Sequence, residues 1–153
     1  MAGTFSQIYI QVVFAVSGRE ALIDPSFEER LYQYITGIIQ NKEQKMLAIN
    51  GMPDHLHFFM GMKPSCRLSD LVREVKKSSN EFINDNKLSK FNFNGQEGYG
   101  SFSYSHSQID DVIKYIQNQK KHHQRKSFHE EYIDLLNKFQ IDYDTRYLFQ
   151  WMD

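Results

Sequence analysis

The chain has 153 residues, 18 Lys and Arg against 19 Asp and Glu for a formal charge of −1, and 41% hydrophobic residues. That is one domain's worth; with only 8 Gly and 3 Pro the composition excludes a disordered or collagen-like chain. Cys66 is the single cysteine, which excludes an intramolecular disulfide and a multi-cysteine zinc site.

Residues 5–16 read as a strand, with Ile8, Ile10, Val12, Phe14 and Val16 alternating against Gln7, Tyr9 and Gln11. A helix follows near 26–41. Asp24-Pro25 precedes it, Ser26 and Glu29 have capping-box spacing, and Leu31, Ile35, Ile38 and Ile39 supply its apolar stripe. Residues 45–50 form a short strand, and Gly51-Met52-Pro53 a turn. Residues 54–62 form another strand, with Leu56, Phe58, Met60 and Met62 on one face and His55, His57 and Phe59 on the other.

A second helix spans about 67–85, and the polar stretch 86–100 is a loop. Residues 101–106 are a fourth strand. A third helix covers about 108–124, opened by Ser107 with Asp110; a fourth begins after Ser127, with Glu130 at the same spacing. The order β-α-β-β-α-β followed by helices is the α+β, ferredoxin-like order: a four-stranded antiparallel sheet with helices on one face and the other left usable. One domain runs over 1–126, and 127–153 is its C-terminal helical tail. No apolar run approaches the roughly 18 residues of a membrane span. The start Met1-Ala2-Gly3-Thr4-Phe5-Ser6 lacks signal-peptide features, so a cytoplasmic setting is the expectation.

Four features could carry chemistry. His55-Leu56-His57 puts two imidazoles on one side of a strand, with backbones about 6–7 Å apart, close enough to converge on one divalent metal; the pair reads equally as two surface histidines. Asp54 points to the other face and is not counted as a ligand. In Tyr115-Ile116-Gln117-Asn118-Gln119, Tyr115, Gln119 and His122 lie on a helical stripe beside the apolar one formed by Ile109, Val112, Ile113 and Ile116. That is a flank position for a phenol, which also suits a partly buried structural tyrosine. Lys120, Lys121, His122, Arg125 and Lys126, with Arg73, Lys76 and Lys77, could form a basic surface; cations at a helix C-terminus are also favoured by the dipole alone. Tyr99 and Phe102, after a Gly-rich loop, could stack on bases or simply pack. His106 and His129 are read as structural. Cys66, beside a helix start, could have a lowered pKa, but no His–Cys pairing supports a cysteine nucleophile.

Together and in this order, these segments resemble the single-tyrosine HUH transposases of minimal bacterial insertion sequences, including REP-associated tyrosine transposases. HUH denotes His, a bulky hydrophobic residue, His. Here it is His55-Leu56-His57 within Pro53-Asp54-His55-Leu56-His57-Phe58, and the tyrosine helix reads Tyr115-Ile116-Gln117-Asn118-Gln119 before His122-His123. Gly98-Tyr99-Gly100-Ser101-Phe102-Ser103 is similar to the family's segment before the last strand. The family often has Trp-Gln just ahead of it; here Gly95 precedes Gln96.

The resemblance implies a homodimer that cleaves and rejoins single-stranded DNA at hairpin-bearing element ends, in the presence of Mg²⁺ or Mn²⁺, through a 5′-phosphotyrosine. By position, Tyr115 would be the nucleophile and His55, His57 and Gln119 the metal ligands. Arg73, Lys76, Lys77, Tyr99, Lys120, Lys121, His122 and Arg125 would be candidate DNA contacts. The site could be composite, with the tyrosine helix docked on the partner's histidines. Lys120 or His122 could accept the tyrosine proton. The competing reading is a non-catalytic single-stranded DNA- or RNA-binding ferredoxin-like module, which would use exposed sheet aromatics such as Tyr9.

Overall fold

The alternation in residues 5–16 becomes strand β1, Tyr9–Ala15. In the computed structural model, which describes residues 3–16, 22–94, 97–123 and 125–149, it is followed by α1 (Pro25–Asn41), β2 (Lys45–Met52), β3 (His55–Gly61), α2 (Leu68–Asp85) and β4 (Gly100–Tyr104). A 3₁₀ turn over His106–Gln108 then leads into α3 (Ile109–Gln117), α4 (Gln119–His122) and α5 (Phe128–Lys138). The four strands pair antiparallel in the order β2-β3-β1-β4. This is the α+β ferredoxin-like arrangement.

Register sets the two faces. Val12 pairs with Phe58 and Phe14 with Leu56; these residues, with Met60, are buried in one core with Leu31 and Ile35 of α1 and Leu71, Val72 and Val75 of α2. On the other face, β1 presents Gln11 and Val13, β3 presents His55, His57 and Phe59, and β4 presents Gly100, Phe102 and Tyr104. That face is not left open, as the sequence suggested. Val112 and Ile116 of α3 bury themselves against Ala48 and Phe59, with Tyr9 packed at their edge, and α5 adds Phe128, Tyr132, Leu135 and Leu136. The apolar stripes of these later helices need cover as much as the earlier ones did, and the second sheet face supplies it.

Local details depart from the sequence reading where a competing polar group wins. Asp24, not Ser26, caps α1, accepting from the Ser26 N–H at 2.8 Å. Ser105 and Gln108 form the capping box before α3, in place of Ser107 and Asp110. Ser127 does cap α5, accepting from the Glu130 N–H. The expected single helix over 108–124 breaks at Asn118. Glycine is required at two contacts: a Cβ at Gly51 would strike the His55 carbonyl oxygen, and one at Gly100 would strike the Tyr132 hydroxyl.

Candidate active site

His55 and His57 leave β3 on the face covered by α3–α5, and both are fully buried. Asn50, paired with His57 across the β2–β3 ladder, donates its side-chain amide to the carbonyls of Ile116 and Gln117, each at 3.1 Å. Those carbonyls lie in the last turn of α3, where helical carbonyls run short of partners. Asn50 therefore clamps the end of α3 over the histidines. Each apolar anchor of α3, Val112 and Ile116, adds roughly 1.5–3 kcal/mol by burial. The break at Asn118 turns Gln119 inward until it is fully buried. Tyr115, one turn earlier, is half-buried, its ring centroid 5.8 Å from that of His57 in edge contact.

From the opposite side, the first turn of α5 presents Phe128 and Glu131. Phe128 stacks on His55, with centroids 3.9 Å apart and planes within 2°. Glu131 is 2% exposed and sits in the first turn of its helix, where the dipole favours an anion.

Glu131 is the hub. Its Oε1 lies 2.9 Å from His123 Nε2, 3.1 Å from His57 Nε2 and 3.2 Å from His55 Nε2. Its Oε2 accepts hydrogen bonds from the Tyr115 hydroxyl and, at 3.0 Å, from Gln119 Nε2. The far nitrogens of the rings are also held: His55 Nδ1 at 2.7 Å from Asp54 Oδ1, His123 Nδ1 at 2.6 Å from the Lys126 carbonyl, and His57 Nδ1 at 2.9 Å from Gln11 Nε2. Gln11 in turn accepts from the Tyr104 hydroxyl at 2.8 Å. Among the described residues, no buried side-chain nitrogen or oxygen is left without a partner. The donor atoms of His55, His57, His123 and Glu131 all lie within 4.8 Å of one another, a spacing and donor chemistry that fit a divalent metal.

Burial opposes the charge on Glu131, but the surrounding imidazoles of His57, His123 and His55 outweigh it and hold the carboxyl well below the usual carboxylate range. Burial and then the Glu131 charge push the Tyr115 phenol far above its ordinary value. Burial lowers His57 despite Glu131. For His55 burial is overcome by Asp54 and Glu131, and its pKa is raised. Burial also raises Tyr104, to about 12.

One chain thus brings together Tyr115, His55, His57 and Gln119. Sequence reasoning missed Glu131 and His123. Glu131 had a signal: it falls on the stripe Phe128, Glu131, Tyr132, Leu135 and Leu136, so a carboxylate occupies an apolar face. Asp54, set aside as facing away, orients His55.

The basic residues do not form one surface. Arg73, Lys76 and Lys77 with Tyr99 line a groove of about 550 Å³ beside α2, on the face opposite α4. Lys120 reaches around the β2 edge to Glu28 at 2.8 Å and the Gly51 carbonyl at 2.7 Å, which ties α4 to α1 and to the end of β2. Lys121 and Arg125 are exposed, and His122 is partly so, with its pKa lowered by burial. Phe102 is buried with its ring 4.9 Å from that of Phe139 and cannot stack on a base. Burial raises the Cys66 thiol rather than lowering it. Gly95 and Gln96, where the family's Trp-Gln would fall, lie outside the described residues.

The family described as "Transposase IS200 like" matches residues 4–119. No curated protein matches the chain significantly. Among solved structures, a protein of Deinococcus radiodurans R1 provisionally named a transposase is 18% identical, with a TM-score of 0.61 over 78% of this chain and 95% of that one. A REP-associated tyrosine transposase solved bound to a REP hairpin is 16% identical, with a TM-score of 0.51 over 77% of this chain and 72% of that one. At these identities the likeness is one of fold.

Proposed function

Since the chain belongs to the IS200-like transposase family, we propose that it cleaves and rejoins single-stranded DNA at hairpin-bearing element ends through a covalent bond to Tyr115. The observation that carries this reading is the shared carboxylate: Glu131 accepts from the Tyr115 hydroxyl through one oxygen and faces the His55 and His57 Nε2 atoms through the other. The hairpin bound by the similar REP-associated enzyme supports the substrate class.

A free tyrosine is only about 0.1% phenolate at neutral pH, and burial takes Tyr115 further from ionisation. The phenol therefore rests protonated. In the forward step Tyr115 Oη attacks the scissile phosphorus, the P–O3′ bond breaks, and a 5′-phosphotyrosine and a free 3′-hydroxyl result. The phenol proton passes to Glu131 Oε2, its hydrogen-bond acceptor, and the departing 3′-oxygen takes a proton from solvent. Attack by a DNA 3′-hydroxyl reverses the step and needs no ATP, because the phosphotyrosine keeps the energy of the diester. His55, His57 and Gln119 would hold a divalent metal, Mg²⁺ or Mn²⁺, which supplies charge opposite the phosphate oxygens and the leaving group.

A cavity of about 310 Å³ opens on Tyr115, His122 and Glu131 from the side of Tyr104 and Gln108, and it would admit the nucleotide at the cleavage point. Arg73, Lys76 and Lys77 would hold phosphates in the groove beside α2, so binding weakens as salt rises. A second copy of the chain, which the family resemblance implies, is not needed to bring phenol to imidazoles. The module reading needs an open sheet face, and α3–α5 cover it.

The test is an SDS-stable adduct on labelled hairpin oligonucleotides taken from DNA flanking the gene. Wild type forms it with Mg²⁺ or Mn²⁺. Tyr115→Phe loses it by at least about 10³-fold; an undiminished adduct in that variant would overturn the nucleophile assignment.

A further inference from the structure

The family match ends at residue 119, yet two of the four side chains whose donor atoms converge at the site, His123 and Glu131, lie beyond it. We propose that His123 and Glu131 are metal ligands, completing with His55 and His57 a nitrogen-rich centre that selects a transition-metal ion such as Mn²⁺ or Co²⁺ over Mg²⁺, with Glu131 bridging that ion to the Tyr115 hydroxyl. This rests on the preceding reading that the histidine pair holds a metal, and it extends the ligand set beyond His55, His57 and Gln119.

Hydrogen accounting carries the argument. His55 faces Asp54 Oδ1 through Nδ1 at 2.7 Å, and His123 faces the Lys126 carbonyl through Nδ1 at 2.6 Å. Both partners are acceptors, so both Nδ1 atoms carry hydrogen and donate. In a neutral ring the other nitrogen is then a lone pair. Those two lone pairs point at the same carboxylate oxygen, Glu131 Oε1, from 3.2 and 2.9 Å. Lone pairs facing an anion repel; the arrangement is stable only with positive charge among them, as separate protons or as one shared cation.

His57 joins the set when the Gln11 amide turns, so that Oε1 accepts from Nδ1–H and Nε2 is freed. The Tyr104 hydroxyl, donor and acceptor both, can serve either orientation of Gln11. The spacing agrees with a shared ion. Donors each about 2.1 Å from a metal stand about 3.0–3.4 Å from their neighbours in octahedral or tetrahedral geometry. The three nitrogens stand 2.9, 3.1 and 3.2 Å from Glu131 Oε1.

The donor chemistry sets the choice of ion. Three imidazoles and one carboxylate suit first-row transition metals, whereas Mg²⁺ prefers oxygen and keeps its water. The two oxygens of Glu131 divide the work. Oε1 faces the nitrogens, and Oε2 accepts from Tyr115 and Gln119. The carboxylate thereby ties the nucleophile's position to occupation of the metal site.

Full-length protein stripped with chelator would be titrated with Co²⁺, followed by visible absorption, and with Mn²⁺ and Mg²⁺ by calorimetry. The expected result is one ion per chain, Mn²⁺ bound at least tenfold more tightly than Mg²⁺, and affinity for Co²⁺ reduced at least tenfold by Glu131→Gln and by His123→Ala. Circular dichroism confirms folding; should the buried Glu131→Gln fail to fold, His123→Ala supplies the same comparison. Wild-type Co²⁺ affinity in both variants, with binding lost in His57→Ala, would overturn the extended ligand set while leaving the histidine pair's role intact. Uptake of no ion by wild type would overturn both metal assignments, and the Tyr115 adduct assay would then report separately on the nucleophile.

Discussion

On the face covered by α1 and α2, strands β1 and β3 present Val12, Phe14, Leu56, Phe58 and Met60 to apolar partners. On the face covered by α3–α5, the same strands present Gln11, His55 and His57, all fully buried. Burial stabilises the first face directly. On the second, burial costs free energy unless every polar atom finds a partner, and the partners come from segments distant in sequence: Tyr104, Gln119 and Glu131. The first face is a core independent of conditions; the second depends on protons, and on the cation we propose there.

Four measurements sharpen or break this contrast. Phe58→Ala removes a fully buried ring from the apolar face and should cost about 3–5 kcal/mol in urea unfolding, equally with and without Mn²⁺; a Mn²⁺-dependent cost would mean the faces are not separable. Saturating wild type with Mn²⁺ at about 100 times its Kd should add about 2.7 kcal/mol, and His57→Ala should show no such gain in parallel melts. In metal-free protein the Glu131 carboxyl is held below its ordinary value of 4.5. A depressed carboxyl contributes stability that is fully present above that value and is lost as pH falls toward the folded-state value. Urea midpoints should therefore drop below about pH 4.5, and Glu131→Gln should flatten the drop. The smallest effect belongs to the clamp: Asn50→Ala should cost about 1 kcal/mol and speed amide exchange in the last turn of α3, without slowing exchange in α1.

The apolar face was legible because its signal is periodic and local: alternation in β1 and β3, and helical stripes in α1 and α2. Element order was enough for the α+β assignment. Half of the polar face was legible too. His55 and His57 are forced onto one side by the strand, and Tyr115 and Gln119 share a helical flank. What stayed hidden depends on contacts between distant segments. Nothing local announces that Asn50 caps α3 some 66 residues away, or that Lys120 is drawn across to Glu28. The break at Asn118 falls at no Gly or Pro and coincides with the burial of Gln119. Glu131 was visible only as a charged residue on an apolar stripe, which by itself names no partner.

Glu131 also fixes an order of events during synthesis. A chain emerging from the ribosome exposes all four strands before the first turn of α5 leaves the exit tunnel, and domains begin to organise as they emerge. The sheet can therefore close while His55 and His57 still lack their anion. The acceptor of the Tyr115 hydroxyl is the last of the site's charged groups to arrive, so an unfinished chain holds the histidine pair and the tyrosine without the carboxylate that joins them.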